Sequence, residues 1–71
     1  MNASVYDLEG LLTWLDRIGV LDSGNRALIE DALFALKNGN EYRAERSLKT
    51  AERNYRIAGN DNAADAVARL L

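Results

Sequence analysis

Apolar residues recur along the chain at three- and four-residue intervals, the spacing of amphipathic helices. Val5, Leu8, Leu11, Leu12, Leu15 and Ile18 fall on one broad stripe, with Asp7, Glu9, Asp16 and Arg17 around the rest of the helix they define. A second stripe joins Leu28, Ile29, Ala32, Leu33, Ala35 and Leu36, which leaves Phe34 on the opposite, polar side beside Ala27, Glu30 and Asp31. The third pattern, Ala44, Leu48, Ala51, Tyr55 and Ala58, is a narrow seam of mostly small side chains, so its helix should dock tightly. Ala63, Ala64, Val67, Leu70 and Leu71 give a short fourth face that packing must hold, because so short a helix is marginal by itself.

The punctuation matches these patterns. Gly19, Gly39 and Gly59 each follow a helical stretch, where a left-handed residue would end it. Ser4, Asp22 or Ser23, Asn40, and Asn60 or Asp61 stand where N-caps belong, and Ser4 with Asp7 resembles a capping box. The expectation is an all-α fold, a compact antiparallel bundle of four helices near residues 4–18, 24–38, 40–58 and 61–70, with residues 1–71 forming a single helical domain. Gly10 lies inside the first helix at a cost of roughly 1 kcal/mol against Ala, which reads as the mark of a close helix crossing.

From Gly39 through Ala44, Leu48 and Ala51 the turn and helix resemble the second half of a tetratricopeptide repeat, where Gly, Ala, a large apolar residue and Ala fall at those intervals. Leu28 and Ala32 fit the preceding repeat helix, but Asp31 stands where the repeat has Leu, and no Pro follows the third helix. Repeat arrays need about three units to be stable, so the resemblance implies a shared way of packing two helices rather than an array.

Composition narrows the function. A chain of 71 residues buries only about 60% of its unfolded surface. With no Cys or His it has neither disulfide nor Cys- or His-ligated metal to staple it, so tight helix packing or oligomerisation must serve. Its 48% hydrophobic content and lack of Pro mark a folding sequence. No apolar run approaches the ~20 residues of a membrane span and no secretory signal is evident, so a cytoplasmic protein is expected. Seven Arg against two Lys, with abundant Ala, fits a GC-rich bacterial or phage genome.

Catalysis finds no foothold. His and Cys, the commonest proton-transfer and nucleophilic groups after activation, are absent, and the glycines make no phosphate-binding pattern. Of the carboxylate pairs Asp7 with Glu9, Glu30 with Asp31, and Asp61 with Asp65, only the last shares a helical face, and Asp61 reads as an N-terminal helix acid. No enzyme, cofactor, metal or small-molecule substrate is expected.

The strongest clue is charge. The chain is acidic overall at −2, yet six of its nine basic residues lie between Lys37 and Arg56. Arg43, Arg46, Lys49, Arg53 and Arg56 share one arc of the third helix with Tyr42 and Ile57, opposite the apolar seam. Glu45 before Lys49 and Glu52 before Arg56 have the favourable orientation for helical ion pairs, so part of this arc can be a self-compensating solvated face. Residues 1–36 carry −4 and residues 37–57 carry +3, an asymmetry that favours protein partners, including a second copy, over nucleic acid. The aromatics agree: Phe34 falls outside the core, Tyr6 and Tyr42 lie off their stripes, and Trp14 sits at a stripe margin as a core-edge residue. The expected function is a small non-enzymatic interaction module, an adaptor, co-chaperone or inhibitor that self-associates, acting through Phe34, Tyr42, Arg43, Arg46, Lys49, Arg53 and Arg56. The alternative is a nucleic-acid-binding protein using the basic face of the third helix.

Overall fold

The computed structural model describes residues 1–71 as four helices: α1 (Val5–Arg17), α2 (Ser23–Lys37), α3 (Glu41–Ile57) and α4 (Asp61–Ala68). Capping sets their starts. The Ser4 hydroxyl accepts from the Asp7 amide at 3.2 Å while the Asp7 carboxylate accepts from the Ser4 amide at 2.8 Å, a complete capping box. Asp22 and Asn40 cap α2 and α3 with their side chains, whereas Asn60 makes no side-chain bond and α4 begins uncapped.

All three turns use the same closure. At the end of α2 the Gly39 amide donates to Leu36 O at 3.1 Å and the Asn40 amide reaches back to Ala35 O at 2.8 Å, with Gly39 at φ +75°. That is a Schellman motif, which needs a left-handed residue and so selects Gly. Gly19 and Gly59 repeat it. The turns are too short for anything but antiparallel neighbours, so α2 packs on α3, α3 on α4 and α1 on α2, while α1 and α4 meet only sparsely. Gly10 marks no crossing: it is exposed, and a Cβ built there would meet nothing within 4 Å.

The core is rich in small residues. Leu8, Leu11 and Leu15 from α1, Ile29, Ala32 and Ala35 from α2, Ala44, Leu48, Ala51 and Tyr55 from α3, and Ala63, Ala64, Ala66 and Val67 from α4 are buried together. Trp14 is half-buried at the core edge, as its marginal place on the stripe implies. Ala58, expected to extend the α3 seam, is instead exposed as the C-cap, because the helix ends at Ile57. The total surface of 4264 Å² is close to the roughly 4,400 Å² expected of a folded monomer of this mass, so the core closes within one chain. No helix is long and apolar enough to cross a membrane.

Polar bonds fasten the α1–α2 connection to α3. Tyr55, 2% exposed, donates its hydroxyl to Val20 O at 2.9 Å. Buried Asn25 donates to Asp22 at 2.8 Å and accepts from Asn54 at 3.3 Å. Burial, with the nearby Asp22 charge, pushes the Tyr55 phenol up from 10.0 to about 12. In the unfolded chain the phenol ionises first, so this contribution is complete below pH 10 and is lost as pH rises to about 12. Tyr55→Phe should therefore cost about 1 kcal/mol at neutral pH and flatten the alkaline loss of stability, checked by chemical denaturation across pH.

Candidate functional site

The helical period divides α3 into strips with different tasks. Ala44, Leu48, Ala51 and Tyr55 face inward. On the flank beside α2, Arg43 makes a two-pronged bond to Asp31, with Nε 3.2 Å from Oδ2, and Ser47 donates its hydroxyl to the same oxygen at 2.6 Å. The Arg43 guanidinium, helped by the Ser47 hydroxyl, holds the Asp31 carboxyl below its usual range. On the flank beside α4, Arg56 bridges Glu52 at 3.2 Å and Asp65 at 2.9 Å. Those carboxylates raise its affinity for the proton, Asp65 most.

The outward strip carries Tyr42, Arg46, Lys49, Arg53 and Ile57, opposite the core. Neither Arg46, Lys49 nor Arg53 makes an ion pair. The expected Glu45–Lys49 ion pair does not form; the Glu45 carboxylate binds the Met1 amine at 3.0 Å. Arg46 instead lies 5.8 Å over the Tyr42 ring, at the outer limit of a cation–π contact. Tyr42 is 72% and Ile57 77% exposed, so apolar groups bracket the three cations along a line of roughly 22 Å.

Seven residues singled out from the sequence thus separate into three groups. Arg43 and Arg56 are consumed by neighbouring helices. Tyr42, Arg46, Lys49 and Arg53 form the free strip. Phe34, 60% exposed, projects from the side of α2 turned away from Ile29 and Ala32. The Asp31–Arg43 bond fixes the antiparallel register, so Phe34, one turn beyond Asp31, falls at the level of the Tyr42 end of α3. Tyr6 is exposed on α1 instead.

Between α2 and α3 runs a groove of about 340 Å³, lined by Leu28, Asp31, Arg43, Arg46, Ser47 and Thr50. A larger cleft of about 490 Å³ opens at the end of the bundle beside Asp16, Asp22, Asn25, Tyr55 and Asn60. Its size is not matched by free chemistry, since Asp22, Asn25 and Tyr55 are bonded to their own chain and no buried side-chain polar atom lacks a partner. No group of three or more metal-ligating side chains occurs anywhere, and Asp65 of the Asp61–Asp65 pair is engaged by Arg56.

Comparison with known proteins adds no relative: no family model, no curated protein and no solved structure matches the chain. The tetratricopeptide-like residues do what that spacing does in packing, since Ala44, Leu48 and Ala51 are buried and Gly39 turns the chain.

Sequence reasoning missed the bonds that cross between helices, Arg43 to Asp31 and Arg56 to Asp65, and the buried Asn25. A signal existed for the first: a short turn at Gly39 places residues equally distant from it side by side, so Asp31 falls beside Ser47, eight residues to either side, and Arg43, one turn before Ser47 on the same face, comes within reach of Asp31.

Because the outward cations make no ion pair and Arg46 has only its loose contact over Tyr42, the double variant Arg46→Ala plus Arg53→Ala should leave stability within about 0.5 kcal/mol of the parent. Asp31 behaves oppositely. Its carboxyl is depressed in the fold, so its contribution is present above the ordinary carboxylate range and is lost as pH falls through the folded value. Asp31→Asn should lower the melting temperature at neutral pH and weaken the acid dependence, measured by thermal melts at neutral and acidic pH.

Proposed function

We propose that this protein is a non-enzymatic docking module, an adaptor, co-chaperone or inhibitor in kind, that contacts a protein partner through the outer face of α3. The observation that supports this most directly is the strip of three unpaired cations bracketed by exposed Tyr42 and Ile57. Exposed aromatics and Arg are the residues that anchor protein interfaces, and unpaired cations steer an acidic partner to them. Nucleic acid would use the cations but gain little from Ile57, and three cations release few counterions.

Self-association is the form that the chain's own charge makes available. Residues 1–36 carry −4, and Glu9, Asp16 and Glu30 are exposed on α1 and α2. The α1–α2 surface of one copy is thus a fitting counterpart for the α3 strip of another, in a head-to-tail arrangement.

Size exclusion with light scattering, at low and high salt, tests both levels. The expected result is an assembly at low salt that dissociates at high salt and is abolished by Arg46→Glu plus Arg53→Glu. A monomer at every salt overturns self-association and leaves the strip for another protein. Fluorescence anisotropy with duplex DNA at about 0.15 M salt should show no binding; retention there would overturn the protein-docking reading in favour of nucleic acid.

A further inference from the structure

We infer that the partner seated on α3 is an acidic amphipathic helix of another protein, lying along the strip and over the α2–α3 groove rather than toward α4. This rests on the docking reading above and adds the partner's chemistry and its path.

The two edges of the strip differ in net charge. Toward α4 the edge stays negative, because Glu41 is unpaired and Arg56 alone answers both Glu52 and Asp65, while the Met1 amine holds Glu45; an acidic segment is repelled there. Toward α2 stand Thr50, Ser47 and Arg43, and the one acid there, Asp31, is already held by Arg43 and Ser47. A partner carboxylate entering the groove meets free Arg46 and the exposed side of Arg43, whose side chain is 53% accessible. Phe34 does not line the groove itself but projects from the outer side of α2 at the level of the Tyr42 end of α3, where a helix lying over the groove would reach both aromatics.

Spacing favours a helix as the occupant. Arg46, Lys49 and Arg53 are three and four residues apart, so they rise roughly 4.5 and 6 Å along the axis, and acids at i, i+3 and i+7 of a second helix repeat those steps. Apolar residues beyond each end of that acidic row would meet Tyr42 and Ile57. The head-to-tail contact with a second copy is the low-salt assembly on this same strip, and an acidic helix bound along it displaces that contact.

The probe is a labelled helical peptide of about 18 residues, with Glu at i, i+3 and i+7 and Leu at each end of that row. Anisotropy at about 0.15 M salt should show binding that Arg46→Glu weakens tenfold or more and Phe34→Ala weakens several-fold. Arg17→Glu, on the outer face of α1, should leave it unchanged. The peptide with Gln in place of Glu should not bind. Helical circular dichroism and melting of each variant establish that it is folded.

Equal binding of the Gln peptide overturns the acidic requirement. Binding lost with Arg46→Glu but indifferent to Phe34→Ala overturns the path over α2 while the docking strip stands. Absence of Glu-peptide binding overturns this inference; if the low-salt assembly still depends on Arg46 and Arg53, the docking reading survives with the second copy as its partner.

Discussion

The close packing of α3 through Ala44, Leu48, Ala51 and Tyr55 is the constraint on which the remaining structure depends. These four residues touch the core at every turn of the helix, and α3 alone packs extensively on two neighbours, α2 and α4. Ala at two of the positions lets the backbones approach, and Leu48 with the Tyr55 ring fills the space left between them. A seam this narrow occupies only part of the helix circumference. Whatever stands on the two flanks must then meet α2 and α4, and whatever stands opposite must meet solvent.

That geometry sorts the cations of α3 without any further device. Arg43 falls on the flank that faces Asp31, and Arg56 falls on the flank that faces Asp65, so each joins helices through a charge-assisted bond. At these exposed positions such bonds add modestly to stability, and their clearer effect is on register, since the two-pronged Arg43 bond fits one alignment of α2 against α3. The register in turn sets Phe34 level with Tyr42. One packing seam therefore determines which basic residues are structural and which remain free.

The elements themselves were legible because their signals are local. Gly19, Gly39 and Gly59 each fall where a Schellman turn needs a left-handed residue, and Ser4 with Asp7 forms the box that the spacing implied. Phe34 and Tyr42 are exposed for the reason that the helical period gave. What stayed hidden was tertiary. Gly10 looked like a crossing because a glycine in a helix suggests close approach, yet whether a neighbour arrives is decided by another helix. Glu45 looked like the partner of Lys49, but in the fold its carboxylate binds the Met1 amine. Asn25 sits in a polar first turn with nothing in its own segment to announce burial, and its partners Asp22 and Asn54 come together only after α3 docks.

The free strip differs from the rest of the surface in one further respect. Arg46 stands three residues before Lys49, which stands four before Arg53, and like charges at those intervals repel by a few tenths of a kcal/mol per pair. Elsewhere on the same helix the chain places acids where they relieve such repulsion: Glu52 answers Arg56 and Asp31 answers Arg43. Acids are not scarce in a chain of net charge −2. A locally unfavourable row, left without an ion pair on a helix whose flanks are paired, adds little to the fold that holds it. Rules of local consistency are broken chiefly where a protein meets something outside itself, and here the break coincides with the exposed Tyr42 and Ile57. An approaching acidic surface would reverse the sign of that repulsion, turning a small cost in the free protein into attraction in the complex.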